Sequence, residues 1–268
     1  MKFSIIVVCL NPGDKLNQTL NSILQQTYRD FEIVVKDGNS KDGSIERMMQ
    51  DERICLYVER DAGIYDAMNQ AVAHARGEYI LFMNCGDMFY REDVLENTAR
   101  IAAEYKGKRV VFYGDTYSEK SDVIITAAPK ITGFTCYRNI PCHQACFYAA
   151  TLCKEKPYHQ EYKIRADYDH FLWCFYKARA EMINLQLTVA SYEGGGYSES
   201  KENRERDKRE HELITRTYMS TGELVKYRLI MLGTLAPLRR LLAESKLFSG
   251  WYHSFKEHIY QRKAKNKA

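Results

Sequence analysis

Three polar residues stand where apolar runs stop. Asn11 follows residues 3–9, Asp37 follows residues 31–35, and Asp87 follows residues 79–83. Asp37 sits in Asp37-Gly38-Asn39-Ser40, a turn at the end of a strand. A carboxylate there can accept hydrogen bonds from a nucleobase imide or a ribose hydroxyl. The same residue type also builds turns and caps helices, so both readings stand at this point. Asp87 closes Asn84-Cys85-Gly86-Asp87. Hard divalent cations take oxygen ligands, and Mg2+ combines one or two carboxylates with substrate phosphates. Asp87 beside a flexible glycine suits a cation held against a diphosphate, or a plain turn. Cys142-His143-x-x-Cys146 resembles part of a metal clip, but the paired C-x-x-C that zinc would need is missing.

Such residues need elements to aim them. Residues 3–9, 31–35, 54–58 and 79–83 are apolar runs of strand length. Between them Leu16, Leu20, Ile23 and Leu24 fall on one helix face. Ala67, Met68, Ala71, Val72 and Ala75 make a second such face, with Gly77 placed as its C-cap. Val94, Leu95, Thr98, Ile101, Ala102 and Tyr105 make a third, and residues 44–49 read as a short helix. Strands alternating with helices predict a Rossmann-like α/β fold, a mostly parallel sheet with helices on both faces. Ligands of such sheets bind outside the carboxyl ends of the strands, the edge where Asn11, Asp37 and Asp87 lie. Further strands are expected over 110–114, 123–127, 145–149 and 187–192, and a helix over 167–177. Gly194-Gly195-Gly196 reads as a break, and the charged stretch 200–211 as a solvated helix or a mobile segment.

Several activities are set aside by missing motifs. Cys9-Leu10-Asn11-Pro12-Gly13 holds a single glycine, so the dinucleotide fingerprint is absent, and there is no P-loop or G-x-S-x-G. Four segments instead occur in order. They are Phe3-Ser4-Ile5-Ile6-Val7-Val8, the turn Asp37-Gly38-Asn39-Ser40-Lys41-Asp42-Gly43-Ser44, Asp61-Ala62-Gly63-Ile64-Tyr65-Asp66-Ala67-Met68-Asn69, and the run from Gly77 to Asp87. Together they resemble the family 2 glycosyltransferases of GT-A fold, and within them the bacterial surface-polysaccharide enzymes with a G-I-Y-D-A-M-N box. The resemblance covers about residues 1–195.

That resemblance implies a nucleotide-sugar donor, a UDP-sugar first, with Mg2+ or Mn2+ and inversion in a single displacement. Asn11 would lie at the nucleotide pocket, and Asp37 matches the acid that binds the base. Asp66 and Asn69 match the box near the donor. Asp87 matches the last acid of a D-x-D-D element that holds the metal, with Asn84 and Gly86 in place of two acids. Asn84 would still accept a sugar or ribose hydroxyl. In Arg165-Ala166-Asp167-Tyr168-Asp169, Asp167 matches the catalytic base and Asp169 is the runner-up, with Ala166 replacing a glutamate. A positioned base contributes ~10²–10⁴-fold in rate. His143, ahead of Gln144, matches a residue near the sugar and acceptor, while Tyr65 suits stacking or packing. A sugar-nucleotide nucleotidyltransferase and a non-catalytic nucleotide-sugar or glycan-binding module are the competing readings.

Of the 268 residues, 45% are hydrophobic and 28% charged, which excludes a disordered, collagen-like or coiled-coil chain. The net charge of +4 is uneven: residues 201–268 hold 16 Lys+Arg against 8 Asp+Glu. A catalytic domain is therefore expected over 1–198, its donor half ending near 105 and its acceptor half spanning 106–198, followed by a basic amphipathic helical tail over 199–268. Within the tail, residues 229–238 are an uncharged, largely apolar run with Gly233 and Pro237 inside it, flanked by Lys226, Arg228, Arg239 and Arg240. Such a run is about half of the ~20 residues a membrane span needs. Basic and aromatic residues around it suit an anionic membrane surface, with no nucleic-acid partner. No secretory signal is evident and the eight cysteines read as reduced, so the expected place is cytoplasmic, on the inner face of the membrane, with a lipid-linked glycan acceptor.

Overall fold

The computed structural model describes residues 1–193 and 203–233. Phe3–Cys9 forms β1 and Phe31–Asp37 forms β2, both buried along their whole length. Burial on both faces explains why these strands read as unbroken apolar runs. Lys15–Leu24 (α1) and Ile64–His74 (α2) bury the faces expected of them, Leu16, Leu20 and Ile23 in one and Ala67, Met68, Ala71 and Val72 in the other. Ile54–Val58 is β3, Tyr79–Phe82 is β4 and Met88–Phe89 is the short β5. Val94–Ala102 is α3, and Val110–Ser118 and Val123–Ile125 are β6 and β7. Gly133–Arg138 is α4, Cys146–Ala149 β8, Ala150–Glu155 α5, Ala166–Tyr176 α6 and Glu181–Tyr192 β9. Two helices close the described chain, the charge-rich Arg204–Tyr218 (α7) and the more apolar Thr221–Gly233 (α8).

The strands form one sheet in the order β3-β2-β1-β4-β8-β6-β9-β5, with β7 beside β6. β3, β2, β1 and β4 run parallel. β8 is antiparallel to both β4 and β6, while β6 and β9 are parallel. The chain steps from β1 to β2 to β3 on one side and then returns to place β4 on the other. That reversal opens a crevice at the carboxyl ends of β1 and β4, the switch point where open α/β sheets bind ligands.

Three local expectations are corrected. Residues 44–47 form turns and 48–49 are irregular, with no helix. Side chains take the groups a helix would use: Asn17 Nδ2 donates to the Arg47 carbonyl at 2.9 Å and Asn17 Oδ1 accepts from the Met49 N–H at 2.8 Å. Gly77 is not the cap of α2, which ends at Ala75 in extended backbone. A Cβ on Gly77 would stand 2.5 Å from the Ser4 nitrogen, so glycine is required there for close contact with β1. The late strand begins at Glu181 rather than 187, and its pairing with β6 is irregular near Gly114.

The chain divides into two compact units, Met1–Tyr218 and Met219–Ala268. The first contains α7, which packs on α6, so it continues past the boundary expected at 198. The triple-glycine break and most of the basic tail, including the end of its apolar run, lie outside the described residues. No described helix is long and apolar enough to cross a membrane.

Candidate active site

Beside the switch point lies a cavity of about 810 Å³. Lys15 enters it from the start of α1, Tyr65 from α2, and Asn84 and Asp87 from the loop after β4. A short 3-10 turn before β8 brings His143 and Gln144, and the first turn of α6 brings Asp167.

The four sequence-predicted residues in this cavity are tied into one network. His143 Nδ1 lies 3.4 Å from Asp167 Oδ2, and its Nε2 lies 3.1 Å from Asn84 Nδ2. The neighbouring Gln144 donates from Nε2 to Asp87 Oδ2 at 2.7 Å. One dipeptide thus links the loop after β4 to the start of α6. Asp167 Oδ1 accepts from the Tyr168 N–H at 2.9 Å, and the Tyr65 hydroxyl, which donates to the Ile164 carbonyl at 2.6 Å, lies 3.2 Å from the same oxygen. Burial works to raise the Asp167 pKa, but the hydrogen bond and charge of His143 and the Tyr168 N–H hold it below the usual carboxylate range. Asp87 goes the other way: burial raises it, against the opposing effects of Gln144 and His143.

The other predicted residues do not line the cavity. Asp37 is fully buried and turns its carboxylate onto its own loop, accepting at Oδ2 from the Asn39 and Ser40 N–H groups at 3.0 and 2.8 Å. Asn11, at φ +50°, joins the end of β1 to that loop, accepting from the Lys41 N–H at 2.8 Å and donating its own N–H to Ser40 Oγ at 2.7 Å. Asp66 accepts from the Ala62 N–H and from Gln160 Nε2, both at 2.8 Å. Asn69 uses both ends of its amide on the Tyr158 backbone, at 2.8 and 2.9 Å. Asp66 and Asn69 therefore fasten the segment ahead of α6 to α2. Asp169 is buried and bonded to Lys156 Nζ at 3.0 Å and the Tyr218 hydroxyl at 2.9 Å.

Other contributors carried no usable sequence signal. Glu210 of α7 accepts from the backbone N–H groups of Lys163, Ile164 and Arg165 at 2.9, 3.0 and 2.9 Å, holding the approach to Asp167. His211 stacks on Tyr168 at 5.2 Å. Both lie inside a run of charges that hides any periodicity. Cys142 is half-buried and desolvation pushes its thiol up to about 12, and no described group of three or more His, Cys, Asp or Glu is arranged to hold a metal.

With this geometry in hand, comparison with known proteins gives consistent matches. The sequence model described as glycosyl transferase family 2 matches residues 4–156. A PGL/p-HBAD biosynthesis glycosyltransferase of Mycobacterium bovis is 35% identical over 203 residues, covering 73% of this chain and 78% of that one. An uncharacterised glycosyltransferase of Mycobacterium tuberculosis is 30% identical over 193 residues, covering 69% and 71%. Among solved structures, the mannosyltransferase PcManGT of Pyrobaculum calidifontis, in complex with GDP-Man and Mn2+, superposes with a TM-score of 0.64 at 15% identity, covering 94% of this chain and 83% of that one. S. aureus TarS 1–349 superposes at 0.60 with 21% identity over 72% of this chain, which spans 60% of that structure's chain. These likenesses establish the GT-A fold.

Proposed function

The chain belongs to glycosyl transferase family 2, and on that footing we propose that it moves a sugar from a nucleotide-sugar donor, a UDP-sugar first, to a lipid-linked glycan with inversion at the anomeric carbon. The observation that carries the reading is a cavity holding both Asp87 and Asp167, bridged by His143 and Gln144. Displacement at an anomeric carbon needs charge compensation on the leaving diphosphate and a base for the incoming hydroxyl. Two carboxylates on one cavity, placed on different elements and given different partners, suit those separate tasks.

Asp167 is the base in this reading. Its Oδ1 accepts from the Tyr168 N–H and faces the Tyr65 hydroxyl, which leaves Oδ2, beside His143, to receive the acceptor proton. With its pKa depressed, the group is ionised at neutral pH. Asp87 and Asn84 are the residues that would hold Mg2+ or Mn2+. The fit rests on the donor set: one carboxylate, and an Asn84 Oδ1 that is buried without a hydrogen-bond partner. A bound cation would act as a Lewis acid on the leaving diphosphate. Asn11 and Asp37 shape the loop against which the nucleobase lies. Asp66 and Asn69 serve the donor site by holding the neighbouring segment, and His143 positions Asp167. The process served is bacterial capsule, exopolysaccharide or O-antigen synthesis, on the inner face of the cytoplasmic membrane.

The test is a panel of UDP-, GDP- and dTDP-sugars, read by nucleotide release with and without lipid-linked acceptor. Release that depends on one donor and rises with acceptor is expected, with the product configuration inverted by NMR. A folded protein that releases no nucleotide from any donor overturns the enzymatic reading. A retained configuration overturns the single displacement.

A further inference from the structure

Gly86 is the position where the family resemblance leads one to expect an acid, and its surroundings show what it admits instead. Its φ is +98°, a conformation that L side chains rarely adopt, and a Cβ there would come within 3.3 Å of Lys15 Cδ. The missing side chain clears the path along which Lys15 runs from the start of α1 into the cavity shared with Asn84 and Asp87. The Lys15 ammonium is paired with Glu193, the residue after β9, and both side chains are about half exposed. Glu193 raises the Lys15 pKa, and Asp87 adds to that, so the ammonium stays charged.

The electrostatic consequence is specific. Asn84 and Gly86 are neutral, so Asp87 stands as the one carboxylate of this loop, and a cation from another element stands beside it. We propose that Lys15 is a donor-binding residue that neutralises the donor diphosphate, so that a nucleoside diphosphate binds this site without a divalent cation. The inference rests on the nucleotide-sugar reading of the cavity. A lysine ammonium is a compact point charge with three donors, suited to phosphate oxygens. Its present partner is an exposed carboxylate in a solvent-screened pair, which holds it weakly. Exchange of Glu193 for a diphosphate therefore loses little and gains a charge-assisted contact deeper in the cavity. A divalent ion on Asp87 and Asn84 then adds to a site that already attracts the anion.

Calorimetric titration of UDP and of GDP tests this, in EDTA and in Mn2+, on the full chain and on Lys15→Gln and Lys15→Arg. The wild type is expected to bind one nucleotide in EDTA. Lys15→Gln is expected to lose about tenfold or more there, the size of one charge-assisted contact, and less in Mn2+. Lys15→Arg is expected to keep most of the affinity. Unfolding midpoints should agree among the three proteins, because Lys15 is half exposed. Equal binding of wild type and Lys15→Gln in EDTA overturns the proposal. So does a wild type that binds only with Mn2+, which leaves the donor site itself standing. A wild type that binds neither nucleotide in either condition removes the donor reading, and the role of Lys15 with it.

Discussion

Asp167 and Asp169 differ by two positions, and two positions on an α-helix are about 200° apart. One therefore faces the cavity while the other is held by Lys156 and Tyr218. The two substitutions should separate cleanly. Asp167→Asn is expected to leave nucleotide affinity intact and to cut turnover by ~10²-fold or more, measured under donor saturation. Asp169→Asn is expected to lower stability by about 1–3 kcal/mol, since it weakens the acceptor of a part-buried ammonium and hydroxyl, with turnover per folded molecule preserved. The reverse pattern in urea melts and initial rates would exchange their roles. His170, next along α6, lies between Tyr148 and Tyr158 with ring centroids at 5.2 and 5.3 Å. Burial lowers its pKa from 6.5 to about 4. Its folded-state pKa lies below the unfolded one, so the unfolded chain takes up the proton first as pH falls. Stability from this group is complete above about pH 6.5 and lost progressively toward pH 4, by ~3 kcal/mol in all. His170→Phe should flatten that part of the pH dependence of the urea midpoint, and an unchanged slope would refute it.

α7 is the element whose role is least legible in the sequence. Residues 200–211 read as solvated because charges dominate, yet Glu210, Ile214 and Thr215 are buried. The helix docks through a carboxylate aimed at three backbone N–H groups, a polar contact that no hydrophobic period announces. Glu210→Ala leaves those donors to find water or go unpaired, each unpaired buried donor costing ~1–3 kcal/mol. A lower unfolding midpoint and a slower enzyme are expected together, because residues 163–165 lead directly into Asp167. A full-rate variant would show that α7 supports stability alone. The failed helix at 44–49 and the misassigned cap at Gly77 have a common origin. Both depend on partners distant in sequence, Asn17 in one case and Ser4 in the other.

Across the full chain, the uneven charge sets the expectation. Residues 201–268 carry a net +8, against −4 for residues 1–200. Each Lys or Arg near an anionic bilayer contributes about 1 kcal/mol, screened by salt, and buried apolar residues add attraction that salt does not remove. Full-length protein should therefore co-sediment with phosphatidylserine-containing vesicles, less so in high salt. A chain ended after Gly222 should lose that binding while keeping donor affinity and its activity on a soluble acceptor analogue. Equal co-sedimentation of the two forms would dismiss the tail as a membrane anchor.

The α/β alternation, the strands β1 to β4, and the strand-end edge on which polar groups gather are all legible in the amino-acid order. They depend on hydrophobic period and turn chemistry, which are local properties. Asp87, Asp167 and His143 also stand out there as candidates, through resemblance. Which candidates share a cavity is settled in three dimensions. Asn84, Asp87, His143 and Asp167 do, whereas Asp37, Asp66, Asn69 and Asp169 spend their polar atoms on backbone and neighbouring side chains. The physical reason is that a polar side chain has few donors and acceptors, and burial requires them to be matched. Which partner takes them depends on segments far apart in the chain, such as Gln144 on Asp87, Tyr158 on Asn69 and Glu193 on Lys15. Sequence names the groups that are able to do chemistry, and packing leaves only some of them free to do it.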